Sequence, residues 1–474
     1  MSSQPDIPRA NRIVYASGSI AGNVVSRSLA LWLVYYFAPP KDETDLPTLV
    51  PRLALGAIIF VITFIDAVDD PLIGFWSDRT RSRWGRRIPF VVISTPFYAL
   101  TFVLLWFPPG EDAGHAANAA FIFTFLWLHH LFSTLSGGPF ESLLPELARG
   151  SRERVSIVTW QVFFGAIGAV GGLVVSGVIK DAFSFQAMAV TMAFVAITSR
   201  YVALWGAWRH ARRDVPPVPA GAVRAFRDTL RNRQFLHFLP TFILFNMAVT
   251  LLTAILPFYA DSVVLADGPL DVDLLGVSFD LEEGGVTAVL TGTAIAVVII
   301  SLPLVYRLSV RRGKAWVYAN AMRLGAIGFP FVFFMGFLPG LPVMPQSLLF
   351  VAFIGLPMAA VFTFPNAITA DIIDYDEQRT GARREAIYYG AQATLEKAAG
   401  ALYAPLLALI LLLGETADDP LGIRMAGPVA GVAALLGYLF FRGYRLPDHV
   451  TPDSLREAGF DGEDEIPPNT ANPL

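Results

Sequence analysis

The stretch FVITFIDAVDDPLIGFWSDRTRSRWGRRIPF, from Phe60 to Phe90, decides how the chain is read. A helix-length apolar run carries three acids, Asp66, Asp69 and Asp70, and then gives way to an Arg-rich loop. An ionised side chain at the centre of a bilayer costs about 2.5–3.5 kcal/mol on insertion scales, so these acids must face a cavity or a partner. Working outward, apolar runs of the same kind recur at 13–38, 50–76, 88–108, 117–147, 156–179, 184–207, 235–259, 286–306, 315–337, 344–370, 386–413 and 421–441. Each is near the 20 or so residues that a helix needs to cross hydrocarbon. Each must be helical, because no water is present there to satisfy a free backbone. Barrel strands alternate with period two over about ten residues, unlike these continuous runs. The expected fold is an all-α integral membrane protein with twelve transmembrane helices.

The composition of the 474 residues agrees: 54% are hydrophobic and 16% charged, with 37 Phe and 9 Trp. Soluble domains carry about 25% charged residues, so a soluble enzyme is excluded. With no Cys there is no disulfide framework, thiolate metal site or Cys nucleophile. The net charge of −4 offers no basic field, and no nucleic-acid partner is expected. The start, MSSQPDIPRANR, lacks the basic region and cleavage site of a signal peptide, so the first helix is expected to be retained. The tail, 442–474, is polar and acidic from Asp448 onward and reads as disordered.

Lys and Arg set the orientation. With both termini cytoplasmic, the inner segments hold 27 of the 35 Lys and Arg, and the outer ones only Lys41, Arg52, Lys180 and Arg424. The loop from Asp261 to Glu283 has seven acids and no base, and belongs outside. The location read from this pattern is a cell (inner) membrane, spanned many times. No N-x-[ST] acceptor occurs, which suits that location. The basic central loop, 208–234, contains VPPVPAG and divides the chain into six-helix bundles at 1–207 and 235–441. A weak internal repeat supports the division: GFWSDRTRSRWGRRIPF (Gly74–Phe90) and VYRLSVRRGKAWVYAN (Val305–Asn320) occupy equivalent inner loops. Two pseudo-symmetric bundles suggest a secondary transporter with its site at the midplane between them.

Asp66 and Asp70 lie four apart and share one helical face. Carboxylates so placed repel each other unless a cation sits between them. Hard cations take oxygen ligands, so Na+ coordination and proton exchange both suit; the rival reading pairs Asp66 with a base on a neighbouring helix. Asp69 points elsewhere, and Pro71 can weaken the helix locally. Lys397 either supplies a tethered cation near the carboxylates or forms a structural bridge with Glu396 or an Asp. Glu141 is read as an inner-gate partner of Arg79 or Arg154, or as a third acid. Arg200 and Arg323 read as interhelical pairs, as does Arg27, which can also hold an anionic substrate. His129 and His130 read as satisfied bundle residues rather than proton relays.

The segment DAVDDPLIGFWSDRTRSRWGRRIPF resembles the signature of the glycoside-pentoside-hexuronide:cation symporters, melibiose permease-like members of the major facilitator superfamily. PFESLLPELARGSRERVSIVTWQ, ADIIDYDEQRTGARREAIYYGA and Lys397 agree with it. The resemblance implies a major facilitator fold and a cation site of Asp66, Asp70, Thr134 and Lys397. The family's helix 4 acid falls on Gly137, with Glu141 one turn on. Galactoside-binding members have an Asp where this chain has Ser19 and an Arg where it has Gln161 or Val162. A melibiose-like substrate is therefore in doubt, and a lysolipid-transporting branch is also similar in helices 2 and 11.

The function expected is cation-coupled symport of a small organic solute, typically a glycoside or other sugar, by alternating access. Na+ or H+ is the coupling ion, and no resident cofactor or metal is expected. Substrate contacts are expected from Ser19, Asn23, Arg27, Gln161 and Lys397. Asp78, Arg79, Arg83, Arg86, Glu141 and Glu146 are expected to latch the inner face. The partners are the solute and the bilayer, and a monomer suffices. Two alternatives stand beside this: a transporter or flippase of lysolipid-like molecules without ion coupling, and a membrane prenyltransferase using DAVDD and DIIDYDE to hold Mg2+-diphosphate.

Overall fold

The computed structural model describes residues 8–40, 46–80, 82–147, 151–208, 229–266, 268, 270–274, 277–381, 385–447 and 454–455. The side chains of Asp70, Pro71, Asp78, Arg79, Glu146 and Arg154 lie outside this description, as do Lys41, most of the central loop and most of the tail.

The first half comprises α1 (Arg9–Ala16), α2 (Ser19–Phe37), α3 (Arg52–Arg79), α4 (Ile88–Leu104), α5 (Gly114–Glu141), α6 (Leu144–Leu147), α7 (Ser151–Val170), α8 (Ser176–Ala182) and α9 (Phe185–Ala207). The second comprises α10 (Arg233–Tyr259), α11 (Glu283–Arg312), α12 (Lys314–Gly328), α13 (Val343–Thr363), α14 (Pro365–Thr380), α15 (Glu385–Gly400), α16 (Tyr403–Leu411) and α17 (Leu421–Phe441). Several of the expected spans are built from two pieces. The first bends at Ser17–Gly18 between α1 and α2, the eleventh at Ala401–Leu402 between α15 and α16. The fifth passes through a π-helical turn, Gly171–Val175, between α7 and α8. The third helix runs unbroken through Pro71.

Eight of these segments are long and apolar enough to cross a membrane by composition alone among the described residues. The remaining expected spans miss that measure for visible reasons: acids in α3, 17 residues in α4, Asn23 and Arg27 within the 19 residues of α2, and the bend that leaves α15 with 16 residues. Large apolar side chains such as Trp205 and Ile300 (78% and 75% exposed) stand on the outside of the bundle, where lipid is their solvent.

Small residues set how closely helices approach, because packing rather than hydrophobic exclusion holds helices together in lipid. A Cβ at Gly168 would sit 2.8 Å from the Ile20 carbonyl oxygen, and one at Gly172 2.6 Å from that of Val24. The Gly168–Gly172 pair therefore seats the fifth span directly on α2. One element departs from the all-α expectation: the acidic loop holds an antiparallel hairpin, β1 (Leu270–Leu274) with β2 (Val277–Leu281), in register Leu270 to Leu281. LDVDL and VSFDL alternate apolar and polar with period two, a strand pattern hidden beside the longer helical signals.

Candidate functional site

The third helix carries Asp66 to the middle of the molecule, where it is 6% exposed. A buried carboxylate needs hydrogen-bond donors on its oxygens, and three side chains supply them. Thr134 of α5 donates its hydroxyl to Oδ1 at 3.0 Å. Lys397 of α15 places Nζ 3.2 Å from Oδ2. His130 of α5 places Nδ1 3.4 Å from the same oxygen. His130 and Thr134 are one turn apart on α5 and so share the face that packs on α3. The Lys397 side chain is 39% exposed and that of His130 26%, against 7% for Asp66. The carboxylate is thus reached past its two nitrogen partners.

Asp66, Thr134 and Lys397 meet, as the sequence reading expects. Lys397 contacts the carboxylate of Asp66, a geometry shared by both roles weighed for it and by the rival pairing of Asp66 with a base on a neighbouring helix. The backbone places residue 70 one turn from Asp66 on α3. The two histidines part company. His129 is buried, sets its Nδ1 3.3 Å from the Tyr98 carbonyl oxygen and stacks on the Tyr98 ring at 4.9 Å. His130 instead reaches Asp66, a contact that the sequence reading did not anticipate; its spacing of four from Thr134 was the available signal. No atom lies within 4 Å of a Cβ built on Gly137, so the position of the missing helix 4 acid is open space.

Ser19, Asn23 and Arg27 follow one face of α2. The Asn23 amide donates to the Ser19 carbonyl at 2.9 Å and packs against Gly165 and Gly168. Arg27 is exposed and within electrostatic reach of Glu396 across the halves. Gln161 is half-buried on α7. A matching stripe that the sequence reading overlooked, Asn246, Thr250 and Thr253, runs half-buried along α10. Of the expected inner-gate residues, Arg83 extends over the Trp84 ring at 5.3 Å and Arg86 is half-buried. Glu141 ends α5 within electrostatic reach of Arg200, whose guanidinium sits 4.3 Å from the Phe140 ring centroid. Arg323 lies over Tyr438, at 5.7 Å.

On the face opposite the termini, the two halves are clamped together. Lys180 of α8 bridges Glu283 at 2.9 Å and Asp181 at 2.8 Å. Asp181 in turn accepts the Gly284 and Gly285 amides at 3.2 and 2.5 Å, at the N-terminus of α11, where a carboxylate satisfies unpaired backbone donors. Backbones touch here: a Cβ on Gly177 would stand 2.5 Å from the Gly284 carbonyl oxygen. Arg52 pairs with Glu415 and lies over the Phe258 ring at 5.6 Å, while Tyr35 meets Phe258 edge-on at 5.2 Å. Thr291 donates to the Leu173 carbonyl at 3.1 Å. Two of the few bases assigned to this face, Arg52 and Lys180, thus join the halves. A third, Arg424, instead donates to the carbonyls of Phe333 and Met335.

Comparison with known proteins agrees with this architecture. An uncharacterized symporter of Synechocystis sp. is 22% identical over 84% of this chain and 85% of its own length. The sodium-dependent lysophosphatidylcholine symporter 1-B of Danio rerio is 28% identical over 35% of this chain and 30% of its own. The isoprimeverose transporter of Lactiplantibacillus pentosus is 26% identical over 34% of this chain and 33% of its own. These two matches span only about a third of each relative. In three dimensions, the nucleoside transporter NupG superposes with a TM-score of 0.66 at 11% identity, covering 92% of this chain and 99% of that one. A bacterial homologue of the drug peptide transporters PepT1 and PepT2 gives 0.65 at 12%, covering 92% and 98%. The sequence profile of one family matches residues 14–420, and that family is one of transporters, which sets the prenyltransferase reading aside. The chain belongs to the MFS/sugar transport protein family.

Proposed function

We propose that the protein is a cation-coupled symporter of a small, sugar-like organic solute, working by alternating access across a cell membrane with both termini cytoplasmic. The observation that carries this is the Asp66 carboxylate, buried midway along α3 and tied by Lys397 to the second half of the chain. A cation arriving at Asp66 neutralises it and releases Lys397, so ion occupancy and the relation between the halves become one equilibrium. Coupling of ion and solute then follows from their different affinities for the two states, and it is reciprocal. Asp70, on the same helical face, completes the acidic pair.

The clamp of Arg52, Lys180, Asp181, Glu283 and Glu415 closes the outer end, so this arrangement corresponds to an inward-facing state. Solute binds between the polar faces of α2 and α10, with Ser19, Asn23, Arg27 and Gln161 on one side and Asn246, Thr250 and Thr253 on the other. The latch of the opposite state falls to Asp78, Arg79, Arg83, Arg86, Glu141 and Glu146. The halves, 1–207 and 235–441, rock as bodies about the central loop, and a monomer carries out the cycle.

A thermal-shift panel of purified protein tests the reading. Methyl glycosides, isoprimeverose and lysophosphatidylcholine are each tried with Na+, at low pH, or with neither. A ligand that binds the folded state alone at about 100 times its Kd stabilises by about 2.7 kcal/mol. Stabilisation by a glycoside only alongside a cation supports the proposal; stabilisation by lysophosphatidylcholine alone, indifferent to ions, supports the flippase reading instead.

A further inference from the structure

We propose that Arg27 and Glu396, one from each half, form the grip that holds the solute by its hydroxyls, and that the pair selects neutral glycosides over uronides. This rests on the reading above of a sugar-like solute, and deepens it by naming the gripping groups and the solute charge they accept.

Other polar side chains of the cleft already donate to their own helices. Asn23 donates to the Ser19 carbonyl at 2.9 Å and Asn246 to that of Phe242 at 2.9 Å. Thr250 and Thr253 donate to the carbonyls of Asn246 and Val249, each at 2.8 Å. The Asp66 carboxylate is met by Thr134, His130 and Lys397. Arg27 and Glu396 differ. Among the described residues neither makes a hydrogen bond, nor an ion pair within 4.0 Å, although each lies within electrostatic reach of the other. A charged group on a membrane-spanning helix faces a partner or a water-filled cavity. Arg27 is exposed and Glu396 half-buried, so both turn to the cleft between the halves with their hydrogen-bonding capacity unused.

Neighbouring contacts fix where the pair stands. Lys397 reaches Asp66 at 3.2 Å, which turns that face of α15 to the first half. Glu396 precedes it and is rotated from it by about 100°, toward α2. Arg27 starts from the contact of α2 with the fifth span: a Cβ on Gly172 would stand 2.8 Å from the Arg27 Cβ. A sugar hydroxyl donates and accepts at once, so it can donate to the Glu396 carboxylate and accept from the Arg27 guanidinium. Charge-assisted bonds of this kind are about twice as strong as neutral ones, and a solute held by both residues joins the two halves. The charges also set selectivity. They cancel across a neutral sugar, whereas a uronate carboxylate that answers Arg27 brings a second negative group before Glu396.

Equilibrium dialysis on the full chain in lipid nanodiscs, with NaCl and again at acid pH, ranks radiolabelled methyl glycosides of glucose, galactose and mannose. The tightest is compared with its monodeoxy analogues and with its methyl uronide. In the parent protein, loss of one hydroxyl should weaken binding about tenfold, the low end for a hydrogen bond to a charged group. That penalty should shrink in Glu396→Gln and vanish in Glu396→Ala. The parent should prefer the neutral glycoside to the uronide, and Glu396→Gln should reverse the order, because Arg27 then meets the anion alone. Glu396→Gln is nearly isosteric, so this reversal is readable even if Glu396→Ala does not fold. The chain has no Cys, so spin labels can be placed without background. Asp112→Cys and Asp418→Cys, both exposed, put one label on each half at the outer face, and distances like the parent's without solute show that a variant keeps its fold. A hydroxyl penalty of full size in the Glu396 variants, or a parent that prefers the uronide, overturns the grip and leaves glycoside symport intact. A parent that binds none of these glycosides or uronides in either condition overturns the sugar reading itself.

Discussion

Weakening the outer clamp should open the outer face by a measurable amount. Lys180 Nζ and Glu283 Oε2 are 2.9 Å apart with side chains each 11% exposed, and Asp181 lies 2.8 Å from the same nitrogen. A hydrogen bond to a charged group is worth about 1.5–3 kcal/mol net. In Glu283→Gln one acceptor oxygen survives and Asp181 still neutralises Lys180, so the low end applies: about 1.5 kcal/mol, or about tenfold in the sealed-to-open equilibrium. Lys180→Ala is worse. It leaves Asp181 and Glu283 facing each other across the halves with no base between them, and the high end applies, about 3 kcal/mol or about 150-fold. Spin-label distances between Asp112→Cys and Asp418→Cys read this directly. The long-distance population should grow in Glu283→Gln and dominate in Lys180→Ala. Distributions unchanged from the parent in both variants would refute the assignment of these residues as the seal.

Thr134→Val removes the hydroxyl that donates to Asp66 at 3.0 Å. For Na+ it should raise the concentration needed for half-maximal transport about tenfold, for a loss of about 1.5 kcal/mol; for H+ it should lower it, because the hydroxyl stabilises the ionised carboxylate; ion-free solute binding, read by equilibrium dialysis, should stay as it was. Lys397→Ala should uncouple the protein: solute exchange persists while accumulation against a gradient disappears, measured by radiotracer flux in proteoliposomes. Gly172→Leu would drive side-chain atoms into the Val24 carbonyl and Arg27, and overpacking of about 1–3 kcal/mol should lower the melting temperature by several degrees. Gln346 accepts the Gly336 and Leu338 amides and donates to the carbonyls of Leu338 and Leu341. Gln346→Leu should therefore destabilise by about 2–4 kcal/mol through orphaned backbone groups, with transport by the surviving folded fraction unchanged.

The spans were legible because a bilayer imposes one length and one backbone solution on every crossing. The contact of Asp66 with Thr134 and Lys397 was legible through the resemblance, since three residues on separate helices have no spacing to count. What escaped has physical causes. His130 sits beside His129, and nothing in HHLFST says which ring turns to α3 and which is buried on Tyr98. The clamp joins residues more than a hundred positions apart, so Arg52 and Lys180 read only as exceptions to the charge bias. The hairpin of the acidic loop was overlooked because five-residue alternation is a weak signal beside twenty-residue apolar runs. Pro71 reads as a local weakening, and α3 continues through it; neighbouring helices can re-satisfy the backbone groups that a proline frees within a membrane.

The central claim is that transport runs uphill only because a cation visits the carboxylate of Asp66. The most direct measurement compares two fluxes of a glycoside found in the binding panel, in proteoliposomes bearing either the parent protein or Asp66→Asn: counterflow at equal ion concentration, and accumulation driven by an imposed ion gradient. The account predicts that Asp66→Asn retains counterflow and loses accumulation. Accumulation at the parent level in Asp66→Asn would contradict it.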